Sequence, residues 1–214
     1  MRKSGASLIV AAAAAALFAL AQSSARADNA AWRDIYRPAP GNPQHQQGAY
    51  QGQGSYEADT RAADERTVLM VSGIIGHGAH REFQAALYGA RPDLVVLAGP
   101  GGVLGEAFLI AEEVRRRGLS TLVAPNQSCA SACAIVFLSG RTKYMGTGAA
   151  VGLHSASYAD GTADPEATAL MAAYLRQLGV PDSTLRRMAR TAPSDIRWLT
   201  QGEQKAVGVV AYQE

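Results

Sequence analysis

The sequence predicts an α/β fold whose strands are joined by right-handed crossovers. Three observations carry this. From about residue 65, short apolar runs alternate with stretches whose apolar residues recur every three to four positions. A glycine-rich segment, Gly99-Pro100-Gly101-Gly102, leads from one such strand into a helix. Pro165 and Pro181 stand at the starts of two later helical stretches, where a missing N–H costs nothing.

Element by element, Thr67 to Val71 reads as a buried strand ended by Gly73 and Gly76. Arg81 to Tyr88 is a short helix, with Phe83 and Leu87 four apart. Asp93 to Ala98 is a second buried strand that runs into the glycine turn. The helix after it carries an apolar stripe at Leu104, Ala107, Phe108, Ala111 and Val114 and stops between Arg115 and Gly118. Ser120 to Ala124 is a third strand. Ser131 starts an apolar helix that continues to Leu138. Thr142 to Met145 and Ala149 to Leu153 are short strands, followed by helices over Pro165 to Leu178 and Pro181 to Ala192. Thr200 opens a last helix with Glu203 at the capping-box position, and Gly208 to Tyr212 is a closing strand.

The chain has 214 residues, and its start reads as an export signal. Arg2 and Lys3 precede an Ala-rich apolar run from Leu8 to Ala21, and Ala25-Arg26-Ala27 is a small-x-small cleavage site. The apolar run is short for a bilayer span of about 20 residues. Residues 1–27 are therefore expected to be a cleaved signal peptide, with a retained membrane anchor as the rival reading. Cleavage removes three basic residues and no acid, so the formal charge of +2 becomes −1. Nothing in that balance suggests nucleic-acid binding. Residues 28–64, with Arg37-Pro38-Ala39-Pro40-Gly41-Asn42-Pro43 and a Gln/Gly-rich run to Gln53, are expected to be a disordered linker. Residues 65–214 then form a single domain.

The densest chemistry lies in Cys129-Ala130-Ser131-Ala132-Cys133. A serine between alanines at a helix start leaves room for a substrate, and the helix N-terminus adds partial positive charge where an oxyanion would form. By itself Ser131 would more simply be a helix N-cap. The glycine turn can present N–H groups of Gly101 or Gly102 to an oxyanion, with Ala132 as a second donor. A dinucleotide fingerprint would need an acidic residue near the end of the next strand. That strand ends Val123-Ala124-Pro125-Asn126, and no Lys-Ser/Thr pair supports a phosphate loop. His154 follows the strand end Val151-Gly152-Leu153, a good place to project a base. His45 falls in the linker. His77 and His80 flank a glycine-rich loop without a third metal ligand at sensible spacing and read as solvated. A Ser–Lys dyad would need Lys143, which reads as a turn residue, so His154 is the stronger base. The two cysteines lie four apart, and export permits a disulfide. Four residues along a helix separate Cα atoms by roughly 6 Å, near the upper end of bridgeable distances. Either a disulfide or two buried thiols fits that spacing.

Taken together, these segments resemble the Clp protease proteolytic subunit family and, more broadly, the ClpP/crotonase superfamily. The resemblance runs from Val68-Leu69-Met70-Val71-Ser72-Gly73 through Ala98-Gly99-Pro100-Gly101-Gly102, Cys129-Ala130-Ser131-Ala132 and Gly152-Leu153-His154. It ends at Ser194-Asp195 and at Thr200-Gln201-Gly202-Glu203-Gln204-Lys205-Ala206-Val207-Gly208-Val209-Val210. It implies a ClpP/crotonase-like spiral of ββα units and a Ser–His–Asp triad on Ser131, His154 and Asp195. The sequence departs from the family at Gln127, where glycine is usual, at Cys129, where alanine is usual, and at Ser155-Ala156, where Gln-Pro is usual. Asp195 matches only with a one-residue shift, which leaves Asp182, Asp164 and Asp160 as rivals. The short stretch between His154 and Asp195 argues against the family's large ring, though a smaller homo-oligomer is compatible.

The function expected from this reading is an exported serine peptidase, periplasmic or secreted, or membrane-tethered if the leader is retained. It would act on peptides or unfolded protein with no cofactor, metal or ATPase partner. The alternative is a catalytically inactive binding or scaffold protein on the same fold. A crotonase-type acyl-CoA enzyme is disfavoured, because coenzyme A is not expected outside the cytoplasm.

Overall fold

Strand pairing in this chain turns on one long strand that serves two neighbours in succession. The computed structural model describes residues 68–212. The expected leader (1–27) and linker (28–64) lie outside the described residues, as does His45. Within the described part the elements run β1 (Val68–Ile75), α1 (Ala79–Ala90), β2 (Leu94–Gly102), α2 (Leu104–Arg116), β3 (Ser120–Val123), β4 (Ser128–Ala130), α3 (Ala132–Leu138), β5 (Lys143–Met145), β6 (Ala150–Leu153), α4 (Pro165–Gln177), α5 (Asp182–Arg190), β7 (Arg197–Trp198), α6 (Gln201–Ala206) and β8 (Val209–Ala211).

The sheet order is β7-β6-β4-β2-β3-β5-β8, with β1 along the other edge of β2. Every pairing is parallel except β6 with β7. The first half of β2 pairs with β3, Leu94 to Val96 against Ser120 to Leu122. Its later part has moved to β4, where Gly99 faces Cys129. The sheet therefore forks along β2. One arm carries β3, β5 and β8, and the other carries β4, β6 and β7.

Two strands run further than their sequence suggests. β1 continues past Gly73 to Ile75 because a register irregularity between Ser72 and Ile74 absorbs the glycine as a bulge. β2 takes in Gly99 to Gly102, which pairs with β1 (Ile74 with Gly101, Ile75 with Gly102). The expected helix-entry turn is thus an extended strand end, and the helix begins only after Val103. β4 and β7, three and two residues long, have no apolar period of their own and exist through their partners.

The core gathers around α3, whose seven residues, Ala132 to Leu138, are all buried. A helix with no polar face has nowhere to go but inside. It packs against α2 and β2. Ile135 and Phe137 are completely buried, and each such side chain contributes roughly 1.5–3 kcal/mol relative to exposure. α6 begins at a full capping box, with Thr200 and Glu203 satisfying each other's backbone. Among the described residues no helix is long and apolar enough to cross a membrane.

Candidate active site

The carboxyl ends of β2, β4 and β6 lie side by side, because Gly99 pairs with Cys129 and Ala130 pairs with Gly152. In open α/β sheets ligands bind outside the carboxyl ends of strands. Each of these three ends delivers one expected component: the glycine segment from β2, Ser131 from β4 and His154 from β6.

Ser131 sits between strand and helix at φ 55°, ψ −125°, an uncommon conformation for a residue with a side chain. Its N–H donates to the carbonyl of Gly152 at 2.9 Å, and its own carbonyl accepts from Ala134 N–H at 3.0 Å. The hydroxyl makes no capping hydrogen bond to α3, so the simpler N-cap role is not the one it plays. Gly101 explains how the turn fits. A Cβ at this position would stand 2.6 Å from Ser131 Cβ and 2.7 Å from Ala132 N, and its φ of 106° is one that side chains disfavour. Ala132, as the first residue of a helix, has no intrahelical acceptor for its N–H. The bare Gly101 backbone leaves room beside that amide, which an added Cβ would crowd.

Cys129 and Cys133 form a disulfide with Cα atoms 5.2 Å apart. The chain folds back at Ser131, between β4 and α3, which brings the two Cα atoms closer than a helical path of about 6 Å would.

His154 is half-buried. Its Nδ1 lies 2.6 Å from the carbonyl oxygen of Ser155. A carbonyl can only accept, so Nδ1 carries the proton and Nε2 is left as the basic nitrogen. Ser155 is itself fixed, since its N–H and its Oγ both donate to Thr191 O, at 3.0 and 2.8 Å. Burial holds the imidazole below its ordinary value of 6.5, partly offset by the Ser155 carbonyl and by the charge of Asp195. The ring is therefore neutral at neutral pH, as a general base must be. Among the described residues no hydrogen bond joins Ser131 Oγ to His154.

Asp195 arrives by way of β7, which runs antiparallel to β6 with Leu153 opposite Arg197. Its carboxylate accepts from Ile196 N–H at 2.8 Å and acts on His154 through charge alone. The imidazole's orientation thus comes from a backbone carbonyl, a role the sequence reading gave to Asp195. The three rival carboxylates are occupied elsewhere. Asp160 accepts from Thr162 N–H and Oγ1 (2.9 and 2.6 Å), Asp164 caps α4 through Ala167 N–H (2.9 Å), and Asp182 pairs with Arg176 (2.9 Å) at the surface.

Ser155 and Gly152, which the sequence marks only as neighbours of His154, also shape this edge. At Gly152 a Cβ would overlap Ile196 and stand 2.8 Å from Trp198, so the glycine lets β7 close against β6. The one signal for it was its place directly before Leu153-His154. Lys143 stands at the amino end of β5, away from this edge, and donates to Gly140 O at 3.2 Å. His77 lies in the loop before α1 and His80 near that helix's start. There the backbone N–H groups of Gly78 and His80 donate to Glu106 at 3.0 and 2.9 Å. Among the described residues no group of three His, Cys, Asp or Glu could hold a metal ion.

No family model matches the chain, and no curated protein matches it. Solved structures do. The 1510-N membrane-bound stomatin-specific protease, in a mutant form complexed with a substrate peptide, is similar with a TM-score of 0.51 at 19% identity, over 69% of this chain and 74% of that one. Another mutant form of the same protease aligns at 0.50 and 18%, over 69% and 79%. ClpP1 from Listeria monocytogenes aligns at 0.50 and 12%, over 68% and 92%. The fold of residues 68–212 is ClpP-like.

Proposed function

We propose that this chain is a serine peptidase acting on peptides or unfolded protein, with Ser131 as nucleophile and His154 as general base. One observation carries the reading. Ser131 is held at positive φ against Gly101, where a Cβ would stand 2.6 Å from its own Cβ, and on the adjoining strand end the Ser155 carbonyl takes His154 Nδ1, which leaves Nε2 as the basic nitrogen. Ser131 Oγ attacks the scissile carbonyl as His154 Nε2 takes its proton. The oxyanion is met by Ala132 N–H and by an N–H of Gly101 or Gly102. When the tetrahedral intermediate collapses, His154 returns the proton to the leaving amine, and a water repeats the sequence to free the enzyme. Asp195 stabilises the transient imidazolium by charge, while the Ser155 carbonyl keeps the ring in register.

The mechanism uses no cofactor or metal, and outside the cytoplasm it would run without an ATPase. The export-type leader supports a periplasmic or secreted location, or a membrane-tethered one if it is retained. A protease solved with a substrate peptide and ClpP1 share the fold, which supports peptide substrates and self-association into a homo-oligomer. The departures at Gln127, Cys129 and Ser155, with the unmade Ser131–His154 bond, favour one second reading, a noncatalytic binding protein. Covalent labelling of the purified protein by a fluorophosphonate separates the two, since only an activated serine reacts.

A further inference from the structure

The Cys129–Cys133 bridge closes a loop of only four residues' separation, and the residue at its centre is Ser131. Cys129 is the middle residue of β4, held between Gly99 of β2 and Val151 of β6. Cys133 lies in the first turn of α3. The bond therefore ties a fixed strand to a fixed helix across the one position that must adopt a disfavoured backbone angle. Had the strand simply continued, four residues would have carried the Cα atoms roughly 13 Å apart. The observed 5.2 Å is reached only by folding back at Ser131, whose φ is 55°. Besides the bridge, the turn has the Ser131 N–H bond to Gly152 and the Ala134 N–H bond to Ser131. Cys129 is 0% and Cys133 3% exposed, so in the folded protein the sulfurs are shielded from a reductant in solution.

We propose that oxidation of Cys129 and Cys133 arms the nucleophile, making both cysteines positioning residues for Ser131; this rests on the peptidase reading. The two thiols give up two protons and two electrons to a disulfide-bearing oxidant, which leaves as two thiols. The bridge then excludes the extended path through Ser131 and keeps Ala132 N–H against Gly101. In the reduced chain the same cysteines pack as small apolar groups, so the core forms but the turn relaxes. The peptidase is thereby silent until its chain has folded under oxidising conditions.

The test compares the full-length oxidised protein with its Cys129→Ala/Cys133→Ala variant, and with wild type refolded in dithiothreitol. A fluorophosphonate is the probe. Both bridge-free forms should melt cooperatively. Their maximal rate of labelling at Ser131 should fall on the order of 10²-fold, the cost of misplacing a reacting atom by about an ångström, with half-saturating probe concentration unchanged. Amide hydrogen exchange across residues 129–134 should quicken. Wild-type labelling and exchange in the bridge-free forms would overturn the proposal. So would loss of cooperative folding in both, which would assign the bridge to the core. If oxidised wild type fails to label while a control serine hydrolase does, the peptidase reading falls. Exchange then decides the bridge's hold on the turn, and unchanged exchange overturns it.

Discussion

His154 Nδ1 lies 2.6 Å from the carbonyl oxygen of Ser155, its own neighbour in the chain. A carbonyl fixes the tautomer as a carboxylate would, but it cannot lose or gain charge when the ring becomes imidazolium. In the proposed mechanism charge compensation falls instead to Asp195, which acts from beyond hydrogen-bond contact. This division of labour has measurable consequences.

Asp195→Asn should reduce the labelling rate only about 10- to 100-fold. A carboxylate that holds the base in its tautomer is worth about 10⁴-fold, because its loss leaves the wrong nitrogen protonated. Here the Ser155 carbonyl still holds the ring after the substitution. Stopped-flow or gel-based labelling of the two proteins checks this, and a loss near 10⁴-fold would put Asp195 on Nδ1 during turnover.

The pH profile separates the two contributions to His154. Burial lowers its pKa and Asp195 raises it. The acid limb of the second-order labelling rate should therefore lie below the ordinary histidine value of 6.5. In Asp195→Asn the raising charge is gone, so the limb should move lower still. A limb that moves up, or stays fixed, would remove Asp195 from the electrostatics of the base.

Gly101→Ala tests the nucleophile turn from the opposite strand. The added Cβ would stand 2.6 Å from Ser131 Cβ and 2.8 Å from the Ala130 carbonyl oxygen, at a φ of 106°. Strain at positive φ and overpacking together should destabilise the protein by about 2–4 kcal/mol and abolish labelling. Urea unfolding and the fluorophosphonate assay read the two effects separately.

Glu203 governs the strand that carries Asp195 toward the site. Its carboxylate accepts from Thr184 Oγ1 at 2.9 Å, from Thr200 N–H at 3.0 Å, and from Arg197 at 3.1 and 3.2 Å. Burial pushes the carboxyl up, but the Thr200 N–H, the Thr184 and Thr200 hydroxyls and the Arg197 charge outweigh it and hold it below 4.5. A depressed carboxylate stabilises the fold above its ordinary value, and that contribution is lost as pH falls below 4.5. Glu203→Ala should cost about 3 kcal/mol at neutral pH, since it leaves Arg197 half-buried and unmatched. Its unfolding midpoint should also be less sensitive to acid than that of wild type.

What the sequence revealed follows the length of each signal. The long apolar runs and the striped helix from Leu104 gave the α/β class, because each buries enough surface to have only one stable placement. β4 and β7 are too short to show a period, and they are the strands that align Ser131 with His154 and bring in Asp195. Ser131, His154 and the glycine segment were legible because each stands at the end of a recognisable run. Asp195 was ambiguous because its position depends on β7. The role of Ser155 was invisible, since it works through a backbone carbonyl that every residue has. The disulfide stayed open because helix spacing alone does not describe a segment that changes from strand to helix at Ser131.

The most direct measurement is site-resolved labelling of purified, oxidised protein with a fluorophosphonate, followed by peptide mass spectrometry. One modification is expected, on Ser131, absent in Ser131→Ala and strongly slowed in His154→Ala, with both variants folded by circular dichroism. No modification at Ser131, under conditions where a control serine hydrolase is fully labelled, would contradict the peptidase and leave a ClpP-like fold serving as a binding protein.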